Sequence, residues 1–162
     1  MKKQLEIVWD ELKSAESLSA LQQNLLHQAR NAAAKAYAPY SHFFVGCALL
    51  LDNGEIVVGN NQENIAYPSG LCAERVAFFS AGAQHAGIPI KMAAISPGTP
   101  TKNTALFTPC GACRQAMAES EKRQEGTIQI IMEQPNGVIM IFDSVSNLLP
   151  LAFDAVLPAH KG

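Results

Sequence analysis

The 162-residue chain contains no long apolar run, no cluster of basic residues, no internal repeat and no low-complexity tract. Each absence excludes something. A helix that crosses a bilayer needs about 20 consecutive apolar residues, and no such stretch is present. Lys and Arg number 12 against 14 Asp and Glu, for a formal net charge of −2. With no basic patch there is no electrostatic footprint for gripping a phosphate backbone, so neither nucleic acid nor a membrane is expected as a partner. The opening "MKKQLEIVWDELK" starts with lysines but returns to charged residues within a few positions, without the apolar core of a secretion signal. A cytoplasmic location is the expectation. There is also no linker-like shift in composition. With 48% hydrophobic residues the length suits one domain over 1–162 with a sizeable core, of which 1–17 is an N-terminal extension.

Periodicity gives the elements. Leu5, Ile7 and Trp9 alternate in "QLEIVW", which predicts a short edge strand. From Leu18 the spacing becomes helical (Leu18, Leu21, Leu25, Ala29, Ala32, Ala36), with Ser19 and Gln22 placed as a capping box and Pro39 as a stop. "FFVGCALLLDNGEIVVGN" reads as two strands joined at Asp52-Asn53-Gly54, where Asn-Gly would supply the positive φ angles of a tight hairpin. A helix is predicted from about Cys72 to His85, a buried strand at "KMAAIS", and a loop over "PGTPTKNTALFTP". A second helix should start near Cys110, just behind Pro109, and run to about Ser120. "TIQIIME" and "VIMIFD" are two more strands around a Pro135-Asn136-Gly137 turn, and "LLPLAF" forms a short C-terminal piece. The interleaving implies a layered α/β domain around a mixed sheet.

The chemistry lies at the starts of the two predicted helices. The four cysteines are Cys47, Cys72, Cys110 and Cys113. In a cytosolic chain they read as metal-binding or catalytic before they read as disulfides. Thiolates at helix N-termini are stabilised by the dipole and by free backbone N–H groups. Cys110 and Cys113 form a C-x-x-C able to reach one ion, and Cys72 can be a third ligand if the helices pack side by side. Three protein ligands leave a position open, as in a catalytic zinc site. Glu74, two residues after Cys72, can then face that position and move protons without being a ligand. Three alternatives compete. The C-x-x-C can be a redox pair, a structural zinc site would draw a fourth ligand from Cys47 or His42, and Glu74 can be an ordinary first-turn acid.

"AYAPYSHFFVGCALL", "GNNQENIAYPSGLCAERVA", "TPCGACRQ" and "LLPLAF", in that order over residues 25 to 155, resemble the small homotetrameric cytidine deaminases. The resemblance implies α/β/α layers with a central mixed five-stranded sheet flanked by helices; the extra N-terminal strand lies outside it. It implies Zn2+ held by Cys72, Cys110 and Cys113, with Glu74 as proton shuttle and Arg75 donating hydrogen bonds to ligand thiolates. Asn61 and Glu63 match the pair that holds the ribose hydroxyls. Phe43 matches the aromatic packed against the pyrimidine, and the backbone of Ala73 the group that meets the base carbonyl. Phe153 matches an aromatic that reaches a neighbouring subunit's site. Phe44, Cys47 and Asn60 depart from the family's usual residues without touching a ligand.

The expected activity is therefore hydrolytic deamination of cytidine and 2′-deoxycytidine with release of ammonia, by a homotetramer. The alternatives are a blasticidin-S-type aminonucleoside deaminase, against which Glu63 argues, and a zinc-stabilised binding module without turnover. Nucleic-acid editing is disfavoured by the net negative charge and by Cys72 in place of a histidine as first ligand.

Overall fold

In the computed structural model, residues 1–98 and 106–154 are described. Residues 99–105 of the expected loop lie outside that set. The elements are β1 (Asp10–Leu12), α1 (Ala20–Ala33), β2 (Gly46–Leu51), β3 (Ile56–Asn60), α2 (Ala73–Gln84), β4 (Ile90–Ser96), α3 (Gly111–Lys122), β5 (Gln129–Glu133) and β6 (Ile139–Phe142). One mixed sheet carries them in the order β1-β6-β5-β4-β2-β3, with β4 and β5 parallel and every other pair antiparallel. It has six strands, not five, because the N-terminal strand joins the same sheet at the β6 edge.

That strand forms at Asp10–Leu12 and not over the apolar alternation at 5–9. Its partner decides this. β6 ends at Phe142, and Asp10 already pairs with Ile141, so the residues before it have almost no ladder to join. Trp9 instead stacks its ring on Phe142 at 5.9 Å.

Helix α1 begins as its capping box dictates: Gln22 N–H donates to Ser19 Oγ at 3.3 Å, and Ser19 N–H to Gln22 Oε1 at 3.0 Å. Leu25, Leu26, Ala29, Ala32 and Ala33 form the buried stripe, whereas Leu21 is exposed. The helix ends well before Pro39, because Tyr37 turns into extended pairing with the segment after β3. Both hairpins need less left-handed backbone than Asn-Gly suggested. Gly54 (φ 87°) and Gly137 (φ 88°) take positive φ, but Asn53 and Asn136 do not. Each asparagine instead accepts a hydrogen bond on its Oδ1 from the N–H two residues on, at 3.1 Å in both turns.

Alternation along β2 creates the layers. Cys47, Leu49 and Leu51 face a core shared with α2 and α3, whereas Ala48 and Leu50 face α1. Since β2 is antiparallel to both β3 and β4, those two strands run the same way and finish at the same end of the sheet. Their following helices, α2 and α3, therefore start there and pack against each other.

Two glycines let the helices lie close to the sheet. A Cβ on Gly46 would sit 1.9 Å from the Ala29 carbonyl oxygen of α1, and one on Gly59 would sit 2.4 Å from the Ala77 nitrogen of α2. Both obstacles are backbone, which cannot swing aside. Gly59→Ala is expected to destabilise the fold by about 1–3 kcal/mol, the scale of overpacking. Urea unfolding measures this, and an unchanged midpoint would contradict the close packing.

Candidate metal and substrate site

The two strand-to-helix connections bring three thiols together. Cys72 is the N-cap of α2, Cys110 is the N-cap of α3, and Cys113 lies in the first turn of α3. Cys72 Sγ lies 3.9 Å from Cys110 Sγ, which lies 3.5 Å from Cys113 Sγ, and all three fall within 4.8 Å of one another. Two thiolates on one tetrahedral zinc, each about 2.3 Å from the ion, stand about 3.8 Å apart. The donor set therefore fits that ion in both chemistry and spacing.

The sulfurs are not equivalent. A hydrogen bond from Cys113, then the Arg75 guanidinium and Cys110, bring the Cys72 thiol down to about 5 against the opposing effect of burial. Cys113 is pushed up by the same interaction with Cys72, then by burial and the charge of Glu74. Arg75 Nη2 approaches Cys72 Sγ at 3.9 Å, and its Nε is buried without a protein partner. A guanidinium so placed tempers the negative charge of clustered thiolates.

Glu74 is only 4% exposed in the first turn of α2. Burial raises its pKa, and the negative charge of Cys72 adds to this. A surface first-turn acid would be solvated, so that alternative does not describe this residue. Ala73 is fully buried at the first position of the same helix, where a backbone N–H has no partner within the helix.

Asn61 and Glu63 line a cavity of about 440 Å3 together with Cys72, Arg75, Tyr40 and Tyr67. Asn61 Nδ2 donates to the Phe43 carbonyl at 2.9 Å, and its Oδ1 accepts from Val45 N–H at 2.8 Å. Glu63 accepts from the Tyr40 and Ser41 N–H groups at 2.9 and 3.2 Å and from the Ser41 hydroxyl. That hydroxyl and those N–H groups hold its pKa low. Phe43 does not line the cavity; it meets Phe107 edge to face at 5.7 Å.

Phe153 stands apart. It lies with Gln115 and Lys122 in another cleft along α3, 78% exposed, while Gln115 binds both its N–H (3.1 Å) and its carbonyl (3.0 Å). Cys47 is fully buried in β2, with its thiol pushed well up by burial and then by Glu74, and His42 is exposed. Neither joins the three cysteines, which form the one group of this kind among the described residues. A closed four-ligand site and a simple two-cysteine redox pair both lose their support.

Several contributors were not anticipated. Arg114 donates to the Pro109 carbonyl (2.8 Å), the Leu148 carbonyl (2.9 Å) and Thr108 Oγ1 (2.7 Å), bracing the segment that delivers Cys110. Its position directly after Cys113 was the available signal. Ser41 and Tyr67 lie inside the motifs that carry the resemblance but no role was assigned to them, and Phe107, an isolated loop aromatic, has no pattern.

A family model described as the cytidine and deoxycytidylate deaminase zinc-binding region matches residues 19–125. The chain belongs to this family. The cytidine deaminase of Halalkalibacterium halodurans is 38% identical over 137 residues, 82% of this chain and 94% of the relative. That of Sporosarcina psychrophila is 39% identical over 132 residues, 81% and 90% of the two chains. The crystal structure of cytidine deaminase from Burkholderia pseudomallei superposes with a TM-score of 0.68 at 35% identity, over 84% of this chain and all of the other. Zinc is accordingly the cofactor of this enzyme, and the three-cysteine cluster is able to hold it. No helix among the described residues is long and apolar enough to cross a membrane.

Purified protein is expected to contain about one zinc per chain, and Cys72→Ala, Cys110→Ala and Cys113→Ala should each lose it, because three ligands are the minimum for such a site. Cys47→Ala should keep it. Metal analysis of the four variants decides: release of zinc by Cys47→Ala would restore the four-ligand alternative.

Proposed function

We propose that this enzyme deaminates cytidine and 2′-deoxycytidine to the corresponding uridines, with Cys72, Cys110 and Cys113 holding zinc and Glu74 moving the protons. The observation that carries the proposal is a buried carboxylate in the helical turn that begins at Cys72, beside three convergent thiols, with Cys72 itself opening on a nucleoside-sized cavity. When bound, zinc supplies the Lewis acidity that brings the pKa of a water molecule toward neutrality.

The chain's own groups do the rest. Glu74 accepts a proton from the attacking water and passes it to pyrimidine N3 as the water oxygen bonds to C4. It then carries the proton of the C4 hydroxyl to the departing amine as the C4–N bond breaks and the C4 carbonyl forms, and ammonia leaves. Serving as acid and base in one cycle suits a carboxyl whose pKa is raised by burial. In this reading the backbone N–H of Ala73 meets the base carbonyl, and Phe43, which lies outside the cavity against Phe107, packs on the pyrimidine once substrate is bound. Asn61 and Glu63 keep acceptor and donor capacity for the ribose hydroxyls, which favours a nucleoside over a free base. Arg75 keeps the thiolates oriented and their charge moderate.

The assembly we propose is a homotetramer in the cytoplasm, with Phe153 of each chain completing a neighbour's pocket. Phe153 is 78% and Leu151 87% exposed, apolar surface that association would cover. Gln115 donates to the Phe153 carbonyl and accepts from its N–H, fixing the Phe153 backbone along α3, and Phe153 does not line its own chain's cavity.

Cytidine should lose its characteristic absorbance on incubation with the enzyme. Glu74→Gln should retain zinc and fold while losing turnover by several orders of magnitude, since one group performs every proton transfer. Substantial residual activity in a zinc-loaded Glu74→Gln would assign the proton transfers elsewhere.

Light scattering at micromolar concentration should report a tetramer, and Phe153→Ala should raise the KM for cytidine with zinc content unchanged. A fully active monomer would refute the shared pocket.

A further inference from the structure

The segment that carries Phe43 is held by few contacts, and most end on the connection after β3. Tyr40, Ser41, Phe43 and Val45 all bond to Asn61 or Glu63. Within this segment His42 sits at φ 53°, in the left-handed region that non-glycine residues adopt only when their surroundings enforce it. Backbone bonds from His42 N–H to the Ala38 carbonyl (3.1 Å) and from Asn61 N–H to the Val45 carbonyl (3.2 Å) bracket the loop, and the side chains of Ser41, Asn61 and Glu63 hold what lies between.

The Ser41 hydroxyl occupies the middle of this set. It donates to Glu63 Oε1 and accepts from the Phe43 N–H at 3.0 Å. Glu63 Oε2 takes the Tyr40 and Ser41 N–H groups. A carboxylate offers about four acceptor positions, so Glu63 can hold this loop and still receive a sugar hydroxyl. No other hydroxyl among the described residues connects that carboxylate to the backbone of Phe43.

We infer that Ser41 is a positioning residue for substrate recognition: its hydroxyl ties the Glu63 carboxylate to the backbone of Phe43, so the sugar and base subsites are set as one unit. The inference rests on the proposed reading of Glu63 as ribose acceptor and Phe43 as the surface for the base. Ser41 is exposed and belongs to neither core cluster. Removing its hydroxyl therefore leaves global stability nearly unchanged and acts through the loop.

Ser41→Ala, Ser41→Thr, Phe43→Ala and the Ser41→Ala/Phe43→Ala double variant separate the possibilities. Ser41→Ala should raise the KM for cytidine roughly tenfold with kcat little changed, the pattern of lost binding shared by ground state and transition state. In the ligand-free protein its Phe43 amide should exchange hydrogen about tenfold faster, while α2 amides keep their rates. Ser41→Thr should restore both values. Adding Ser41→Ala to Phe43→Ala should raise KM little further. Wild-type KM and exchange in Ser41→Ala would overturn the inference. So would an equal rise in KM from Ser41→Ala in both backgrounds, which would show Ser41 acting on the sugar alone. If the wild type fails to convert cytidine, the deaminase reading falls, and the exchange measurement still decides whether Ser41 positions Phe43.

Discussion

The site depends on the backbone-to-backbone approach of α2 to β3 across Gly59. Because no side chain intervenes there, the first turn of α2 sits hard against the sheet, and Ala73 and Glu74 are carried into the interior. The shared direction of β3 and β4 then brings the start of α3 alongside, so cysteines 38 residues apart in the chain lie 3.9 Å apart in space. Two helix N-termini converge on one point. That convergence supplies free N–H groups and dipoles that favour thiolates there, independent of any side chain.

The same convergence sets the electrostatics. Three sulfurs and a buried carboxyl are a concentration of potential negative charge, and Arg75 is the cation brought against them. The interaction between Cys72 and Cys113 splits the pair, lowering the pKa of Cys72 and raising that of Cys113. Glu74 is held toward its protonated form by burial. A divalent cation among the thiols relieves this crowding, which makes metal binding and the protonation of Glu74 parts of one balance.

The neighbouring cavity is built differently, from loops joined by polar side chains. Asn61 and Glu63 bridge to residues 40–45, and Gln134 binds both the N–H and the carbonyl of Phe107, at 2.9 Å each, where that ring meets Phe43. A second polar brace lies behind the sheet edge, where Arg30 and Ser96 both bond to buried Glu133. Loops can be shaped to a ligand only when something fixes them, and here amides and carboxylates do so in place of a hydrophobic core.

Much of this was legible before any coordinates. Hydrophobic period, the Ser19/Gln22 capping box, the turn glycines and the Cys-x-x-Cys spacing are local signals, and they identified the helices, five of the six strands and the three thiols. The N-terminal strand was misplaced because its position depends on the length of β6, a partner more than a hundred residues away. The contacts of Ser41 and Phe107 were equally invisible, since they are made only after folding, and for Arg114 its place directly after Cys113 was the one signal. Sequence alone specified which groups could do the chemistry, because ligand type and helix-start position are written locally. Tertiary structure decided which of them meet, that Cys47 stays in the core and that Glu74 is buried, because proximity and dielectric are properties of the packed chain.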